Sequence, residues 1–473
     1  MGLFWYSEEN LHFDYGYFAQ AVDFLHRFKW IFCYSNTQFV RKGVLDQIPP
    51  EWISNLACAS NDEFNRIPFG YVADSWCASL RSFLAERNRL LIEYDQHDSG
   101  VSVSKPRKGI GQKKWYEIES LSSFIGKLIT DERTTVVDFG SGLGYLSQHI
   151  HEQHRLKVLG IEGSKRLVET SQRRQEELYP ASKDAVQFVD HFITEDSLPY
   201  IEQQIADRFS TDHPLPMAIV GLHACADLSI TAMRHFLHCP SVRKLIIMPC
   251  CYHRMKPLAD GETFVNVPVS NELRKAMANG KSDIICRPFL RLGCQQTAAR
   301  WKETTSEDHL QHGRIMFQRG LVDAILESGE SVKMLKGKPL VSSGTTVDTI
   351  FQRFALQNEC DGPTSWTERH RERLTILLRR YPDGDRISEY LECLQTCLQA
   401  ICENLILLDR MCYLERMSDK HGTRIRRNLI RLRDDGLSPR CFIFYAAKEG
   451  GPDERKPPNA SFVSSSQVQS VSP

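Results

Sequence analysis

The sequence predicts an α/β fold in which helices cover a mostly parallel sheet. Two observations lead to this prediction. From residue 134 onwards, short β-branched and apolar runs alternate with amphipathic segments of helical length, which is typical of consecutive strand–helix units. Glycines follow the first of these runs at every second position, a spacing that suits a tight loop between a strand and a helix. The chain of 473 residues leaves room for about two or three domains.

Composition narrows the function classes. The formal net charge is zero, so global electrostatics do not indicate a nucleic-acid binder, although a local basic groove is compatible with it. Fifteen cysteines without a recognisable signal peptide favour a reducing, intracellular compartment, either cytoplasmic or nuclear. No apolar run approaches the roughly 20 residues that a membrane span needs. We therefore expect no membrane association, and the sequence indicates no obligate partner.

The N-terminal region, residues 1–125, is predicted to be helical. Residues 18–32 and 71–91 place apolar side chains at three- and four-residue intervals, as amphipathic helices do. Pro49 and Pro50 mark another helix start, because proline fits the first helical turn. We expect these helices to form a cap on the α/β domain, with substrate recognition as the alternative. A further helix over residues 115–129 leads into the first strand.

The glycine loop is the first concentration of chemistry. Residues 134–137 predict a buried strand, Asp138 opens the loop, and residues 145–150 predict the following helix. The loop glycines are Gly140, Gly142 and Gly144. Such glycines let the backbone pass close under a ligand and aim the first N–H groups of the helix at it. Strand, loop and helix in this order make a ligand site credible.

The spacing of these glycines separates two cofactors. The dinucleotide fingerprint G-x-G-x-x-G requires a glycine where Tyr145 stands. An acidic residue before G-x-G-x-G instead resembles the first motif of S-adenosylmethionine-dependent methyltransferases. NAD binding and a ligand-free turn are the alternatives. In such enzymes the preceding helix commonly contributes to the methionine end of the cofactor site, so Lys113, Lys114 and Tyr116 are candidates there, with a solvated linker as the alternative.

Two further strand ends complete the predicted cofactor site. Residues 157–161 predict a second strand that ends at Glu162, whose carboxylate can accept hydrogen bonds from both ribose hydroxyls. Residues 187–189 predict a third strand that ends at Asp190, which suits the adenine edge. The predicted cofactor-binding residues are Asp138, Gly140, Ser141, Gly142, Gly144, Glu162 and Asp190.

The fourth and fifth predicted strands, residues 217–222 and 245–248, bring together a second set of reactive side chains. Ligands bind beyond the carboxyl ends of the strands in open α/β sheets. The residues that follow these two strand ends are His223, Cys225, Asp227, Cys250, Cys251, Tyr252 and His253.

Several interpretations of this set remain open. We favour a substrate pocket lined by Cys225, Cys250, Cys251 and Tyr252, with His223, Asp227 and His253 as catalytic candidates and a histidine as proton acceptor. A zinc site is possible from H-x-C and C-C-x-H ligands, but adjacent cysteines suit structural zinc poorly, and we predict no metal. A nucleophilic cysteine would resemble RNA 5-methylcytosine enzymes, whose Pro-Cys signature is missing here. Plain packing of small buried cysteines is the last alternative.

The same segments resemble one known family, the methyltransferase-like protein twenty-five family, some members of which were named ribosomal RNA adenine dimethylase domain-containing proteins. The resemblance rests on residues 136–146 (VVDFGSGLGYL), 160–163 (GIEG), 221–229 (GLHACADLS), 250–252 (CCY), 404–410 (NLILLDR) and 437–440 (LSPR). It implies a Rossmann-like, seven-stranded class I methyltransferase core that uses S-adenosylmethionine. Ala226 stands where the family usually has glycine, and Tyr116 stands where it usually has histidine.

A looser likeness to a tRNA 2′-O-methyltransferase family makes RNA the first expected substrate. Protein is the second, and a non-catalytic scaffold is the rival from another class. The Asn/Asp-Pro-Pro-Tyr/Phe loop of adenine and cytosine N-methyltransferases is missing after the fourth strand, where His223 and Cys225 stand instead. Adenine dimethylation is therefore the less favoured activity.

The remaining chain predicts an insertion and a return to the core. Residues 126–255 form the first part of the core, residues 256–400 a mainly helical insertion, and residues 401–448 the last part, with residues 424–432 and 440–446 as an antiparallel pair that closes the sheet. Residues 449–473 are rich in Ser, Pro and Gln and are predicted to be disordered. Five arginines of the insertion are candidates for a nucleic-acid groove, with a solvated helix face as the alternative: Arg287, Arg291, Arg300, Arg314 and Arg319.

Overall fold

The structure is a computed structural model that describes residues 4–6, 16–97, 105–107, 109–209, 215–295, 298–335, 344–358, 362–434, 436–438 and 441–450. The predicted disordered tail lies outside the described residues from position 451 onwards.

The N-terminal region is mainly helical, as predicted. Its elements are β1 (Phe4–Tyr6), α1 (Gly16–Arg27), α2 (Pro50–Cys58), α3 (Asn61–Arg66), α4 (Ala78–Arg89), β2 (Ile92–Tyr94), β3 (Gln96–His97) and α5 (Gln112–Leu128). Pro50 begins α2, which confirms the predicted helix start. The helix predicted from residue 71 begins only at Ala78, because Tyr71 packs edge-to-face on Trp76 and donates a hydrogen bond to Glu63 instead of continuing a helical repeat.

The middle of the chain alternates strands and helices, as predicted. Its elements are β4 (Thr135–Phe139), α6 (Tyr145–His154), β5 (Lys157–Glu162), α7 (Lys165–Leu178), β6 (Val186–Asp190), α8 (Leu198–Phe209), β7 (Met217–Cys225), α9 (Leu228–His238) and β8 (Val242–Cys250). The fourth and fifth strands of the sequence prediction, β7 and β8, are longer than predicted. In particular, β7 runs on through His223 and Cys225 rather than ending before them.

The C-terminal half contains the insertion and the closing strands. Its elements are α10 (Asn271–Ala276), α11 (Arg287–Leu292), α12 (Ser306–Ile325), β9 (Glu330–Met334), α13 (Val347–Arg353), β10 (Phe354–Asn358), β11 (Gly362–Thr364), α14 (Glu368–Arg380), α15 (Gly384–Lys420), β12 (Ile425–Leu432) and β13 (Phe442–Lys448). Strands β9, β10 and β11 form an antiparallel sheet that the sequence prediction missed. The helix predicted over residues 345–356 becomes a strand at Phe354, whose carbonyl accepts a hydrogen bond from Trp366.

The central sheet has eight strands among the described residues, in the order β3-β12-β13-β8-β7-β4-β5-β6. Strands β4 to β8 are parallel, and β13 pairs antiparallel with both β8 and β12, which confirms the predicted closing pair and the Rossmann-like fold class. The added eighth strand is β3, which pairs with the end of β12. Strand order reverses at β4, which lies between β5 and β7, and such a switch point is where open α/β sheets bind ligands.

Helix α15 is the longest element, with 37 residues, and it runs through residue 400, where the sequence placed a domain boundary. By length and composition it is the one described helix that could cross a membrane, but 83% of its most apolar window is buried inside the structure. It packs closely on α12, since a Cβ added at Gly313 would lie 2.2 Å from the carbonyl oxygen of Asp385. The apolar composition of α15 therefore fits a helix in the core of the protein.

Candidate functional site

The glycine loop at the end of β4 has the backbone that the sequence predicted. Gly140, Gly142 and Gly144 have φ angles of 73°, 57° and 71°, in the left-handed region that favours glycine. A Cβ added at Gly144 would lie 2.4 Å from the ring of Phe188, so packing alone requires glycine there. A Cβ at Gly142 would meet nothing within 4 Å. The middle of the loop therefore borders open space, where a ligand can approach the backbone.

Some polar groups of the glycine loop lack a hydrogen-bond partner among the described residues. The Ser141 hydroxyl is buried, and it finds no hydrogen-bond partner among the described residues. Gly144 precedes α6 and has no side chain with which to cap the first N–H groups of the helix. Unpaired donors at a helix start favour a polar or anionic ligand. The loop thus fits the carboxylate and hydroxyl groups of S-adenosylmethionine.

Asp138, directly before the loop, is fully buried at the end of β4. Burial raises the pKa of its carboxyl to about 6, while a 2.6 Å hydrogen bond from the Ser147 hydroxyl and the charge of Lys114 oppose this shift. The hydrogen bond ties the loop to the first turn of α6. Asp138 therefore helps to fix the position of the glycines, and its role in cofactor binding stays a prediction.

Glu162 lies at the end of β5 and faces the glycine loop. Its two carboxylate oxygens accept hydrogen bonds from the backbone N–H groups of Gly142, at 3.1 Å, and Ser164, at 3.0 Å. Asp190 pairs with Glu162 in the register of β5 and β6, and its side chain is exposed. Both residues lie at the predicted strand ends, and their ribose and adenine roles stay predictions.

Phe192 is a candidate site residue that the sequence analysis missed. Its ring is 78% exposed, and it lies close to Gly163, where an added Cβ would be 3.1 Å from the ring. An exposed aromatic ring beside Asp190 is suited to stack on a purine. Its place two residues after the third strand end was the available signal.

Two residues at the ends of β7 and β8 have left-handed backbone conformations although neither is glycine. Ala226 and Cys251 have φ angles of 50° and 52°, which are strained for residues other than glycine. The N–H of Ala226 donates a 3.0 Å hydrogen bond to the Cys250 carbonyl. Ala226 therefore has the left-handed conformation that a glycine would adopt without strain.

His223 faces a carboxylate that the sequence analysis did not identify. Its Nε2 lies 3.3 Å from Oε2 of Glu117, a residue of α5 that is 1% exposed. The other oxygen of Glu117 accepts a 2.6 Å hydrogen bond from Ser438. Burial opposes ionisation of Glu117, but His223, Ser438 and the charge of Lys113 outweigh it, so the pKa of this carboxyl is lowered.

The α5 candidates take different roles. The positive charge of Lys113 contributes to the lowered pKa of Glu117. The charge of Lys114 opposes the raised pKa of Asp138. The Tyr116 hydroxyl instead accepts a 2.9 Å hydrogen bond from the backbone of Asp434, in the connection between β12 and β13. Tyr116 therefore joins α5 to the closing strands. Glu117 could have been found from its place one helical turn after Lys113.

Asp227 and His253, the other two predicted catalytic residues, make contacts within the protein. The carboxylate of Asp227 accepts hydrogen bonds from the Lys256 N–H, at 2.9 Å, and from the Asn266 amide, at 2.7 Å, so both oxygens anchor the start of the insertion. Nδ1 of His253 lies 3.1 Å from Sγ of Cys294. Burial is the main cause of a lowered pKa of His253. Their catalytic roles stay predictions.

Cysteines converge between the two strand ends. The Sγ atoms of Cys225, Cys250 and Cys251 all lie within 4.8 Å of one another, and those of Cys225 and Cys250 are 3.1 Å apart. Cys250 and Tyr252 are each 1% exposed, so they lie buried beneath the site and do not contribute to its surface. Beneath them, the guanidinium of Arg410 lies 4.9 Å from the centre of the Tyr252 ring.

Three of the arginines proposed for a nucleic-acid groove are bound within the protein. Arg300 pairs with Glu392 at 2.8 Å, Arg314 pairs with Asp385 at 3.2 Å, and Arg287 donates to the carbonyl of His253. The two ion pairs offset the charges of Arg300 and Arg314, which are then less available to a polyanion. The contact of Arg287 is a hydrogen bond to a neutral carbonyl.

Comparison with known proteins supports the predicted enzyme class. Residues 113–257 match a family model described as a methyltransferase domain, a range that begins in α5 and ends just beyond β8. This range holds the glycine loop, Glu162, His223 and the cysteine cluster. The chain thus contains a methyltransferase domain, in agreement with the predicted enzyme and its cofactor S-adenosylmethionine.

Solved structures with some similarity are also methyltransferases. A geranyl diphosphate methyltransferase in complex with SAM is 18% identical, over 39% of this chain and 75% of that chain, with a TM-score of 0.22. A geranyl diphosphate C-methyltransferase from Streptomyces coelicolor A3(2), with Mg²⁺, geranyl diphosphate and S-adenosyl-L-homocysteine, is 14% identical over 49% and 79% of the two chains, with a TM-score of 0.22. Scores this low carry no argument about the ligand or substrate of this chain.

Proposed function

We propose that this chain is an S-adenosylmethionine-dependent methyltransferase in which His223, held by Glu117, accepts a proton from the acceptor. The observation that carries the first part is the methyltransferase domain match over residues 113–257, which contains a glycine loop with open space above Gly142. When bound, the cofactor supplies an electrophilic methyl group on its sulfonium. The proposed cofactor residues are Asp138, Gly140, Ser141, Gly142, Gly144, Glu162 and Asp190, to which we add Phe192.

The Glu117–His223 pair defines which ring nitrogen can act. A carboxylate 3.3 Å from Nε2 favours the tautomer with the proton on Nε2. Nδ1 then carries the lone pair. It is buried and has no hydrogen-bond partner among the described residues, so the imidazole must turn towards the acceptor when the acceptor binds. This arrangement supports a general base that takes a proton from an acceptor hydroxyl or N–H group. Positioning of the acceptor against the methyl group supplies most of the remaining rate enhancement.

RNA is the acceptor class that we propose first. The resemblance to RNA-modifying families supports it, and a histidine base suits a ribose hydroxyl or a base N–H. The engagement of Arg287, Arg300 and Arg314 in internal contacts means that RNA would have to be held by other groups. A protein acceptor is the second candidate.

Titration calorimetry tests the cofactor part. We expect the wild-type chain to bind S-adenosylmethionine and Gly142→Arg to lose binding, because the new side chain fills the space above the loop. Gly422→Arg is the matched control, since Gly422 also has a positive φ, of 64°, and open space around it. Absence of binding in the wild type, or equal binding in both variants, would contradict the proposal.

Methyl transfer from labelled cofactor into cell extract tests the acceptor class. We expect label in material that RNase digests and protease leaves intact, and no label with His223→Ala. Label that survives RNase and disappears with protease would replace RNA by protein. A chain that binds the cofactor but labels neither material would support the scaffold alternative.

A further inference from the structure

The three thiols between β7 and β8 have the spacing of a metal site. In a tetrahedral site with Zn–S bonds of about 2.3 Å, two sulfurs lie about 3.8 Å apart. The Sγ atoms of Cys225 and Cys250 are 3.1 Å apart, and all three sulfurs lie within 4.8 Å of one another, a range that includes this value. None of the three forms a disulfide. Small side-chain shifts would place all three sulfurs around one ion.

The backbone explains how adjacent cysteines can point to one place. Successive side chains of an extended strand point to opposite faces of the sheet, which is why a Cys-Cys pair is unpromising in the sequence. Cys251, however, is in the left-handed conformation with φ of 52°, directly after the end of β8. This turn returns its thiol to the side of Cys250. Cys225 is opposite Cys250 in the β7–β8 register, which fixes the third thiol.

A buried cation, Arg410, lies beside the cluster. Arg410 is 1% exposed, and its Nε and Nη1 have no hydrogen-bond partner in the part of the chain that the structure describes. Its Nη2 reaches only the sulfur of Met255, at 3.7 Å. A buried guanidinium needs a countercharge.

The nearby carboxylates are already engaged. Asp409 accepts hydrogen bonds from the N–H groups of Val269 and Ser270 and from the Ser270 hydroxyl, and Asp227 holds Lys256 and Asn266. Tyr252, Asp409 and Asp227 act electrostatically on Arg410, and Cys250 adds to them. Zn²⁺ with three thiolates has a net charge of minus one, a sign that suits a site next to a buried guanidinium.

We propose that Cys225, Cys250 and Cys251 bind one Zn²⁺ ion through their thiolates at the carboxyl ends of β7 and β8. Thiolate ligands select soft or borderline cations such as zinc over Mg²⁺ or Ca²⁺. Three protein ligands are the number found in zinc sites that keep one position for water or substrate.

Metal analysis of the purified full-length chain tests this proposal. We expect about one zinc ion per chain, and an affinity loss of more than about tenfold in each of Cys225→Ser, Cys250→Ser and Cys251→Ser. Cys239→Ser is the matched control, because Cys239 is also 1% exposed but lies at the end of α9, outside the cluster. Equal zinc in all four variants, or none in the wild type even after addition of zinc, would overturn the proposal.

A spectroscopic measurement on the wild type avoids dependence on variants that fail to fold. X-ray absorption should show about three sulfur atoms at about 2.3 Å from zinc. A shell of nitrogen and oxygen atoms alone would contradict the assignment. S-adenosylmethionine binding is measured on the same samples, so failure of the zinc site and failure of the proposed methyltransferase function remain distinguishable.

Discussion

At the scale of single residues, the acceptor side of the site, which is the part proposed to bind the methyl acceptor, consists of side chains that are far apart in the sequence. Glu117 comes from α5, His223 from β7, and Ser438 from the connection between β12 and β13. The hydrogen bond from Ser438 holds the carboxylate, whose other oxygen lies 3.3 Å from the imidazole Nε2. In the proposed function, Glu117 is a positioning residue that acts through His223.

Glu117→Gln should lower kcat by about a hundredfold or more, because an amide can donate to Nε2 and thereby favour the tautomer with the proton on Nδ1. Cofactor affinity should stay unchanged, and the pH dependence of the rate should shift, which loss of structure alone would not produce. Initial rates of methyl transfer over a range of pH check this.

Glu119→Gln, two residues further along α5, is the control for Glu117→Gln and should keep wild-type kinetics. Wild-type kcat in Glu117→Gln would show that the pair has no role in proton removal.

At the scale of elements, α15 connects parts of the chain that the sequence assigned to different domains. Asn404 bonds the hydroxyls of Tyr17 and Tyr94 from the N-terminal region. Five residues further along α15, Asp409 accepts hydrogen bonds from the backbone of Val269 and Ser270 in the insertion. The motif at residues 404–410 is thus an anchor for the site rather than part of its surface.

Glu403 makes the stability of α15 dependent on pH. Burial raises the pKa of its carboxyl to about 8, although the charge of Arg431 and a hydrogen bond with Tyr252 oppose the shift. The folded pKa is above the unfolded value near 4.5. Stability from this group is therefore full below about pH 4.5 and is lost as the pH rises through about 8.

Glu403→Gln should remove this dependence. We expect the free energy of unfolding of the variant, relative to wild type, to increase by about 3 kcal/mol between about pH 6 and pH 9. Urea unfolding at both pH values measures it. Glu169→Gln, an exposed residue of α7, is the control and should show no such increase. A constant difference between wild type and Glu403→Gln would show that Glu403 titrates normally.

At the scale of the whole molecule, the N-terminal region, the methyltransferase core and the insertion share one hydrophobic core. The buried cluster extends from Tyr17 through Val136 and Leu398 to Ala447 without a break between regions. β3 of the N-terminal region also joins the central sheet. Residues in one cooperative core should unfold together.

Calorimetry should therefore show one unfolding transition. Gly313→Ala, which places a Cβ 2.2 Å from the Asp385 carbonyl oxygen between α12 and α15, should destabilise the chain by about 1–3 kcal/mol and move this whole transition. Gly344→Ala, with open space and no positive φ, is the control and should leave it in place. A separate transition that moves alone in Gly313→Ala would show that the insertion is an independent domain.

Local patterns accounted for much of this protein. The parallel strands, the glycine loop, Glu162 and Asp190, and the closing antiparallel pair were predicted from the sequence and stand where it placed them. Each is encoded within about ten neighbouring residues, through side-chain periodicity or through the freedom of glycine at positive φ. The sequence by itself therefore determined the core fold and the positions of the residues predicted to bind the cofactor.

Only the tertiary structure decided the acceptor side. It placed Glu117 against His223, turned Cys251 towards Cys225 and Cys250, and continued α15 through the expected boundary at residue 400. None of these features has a local signature, because each depends on how elements distant in sequence pack together. Side-chain periodicity reports which face of an element is buried, but the partner that covers that face is chosen only when the chain folds.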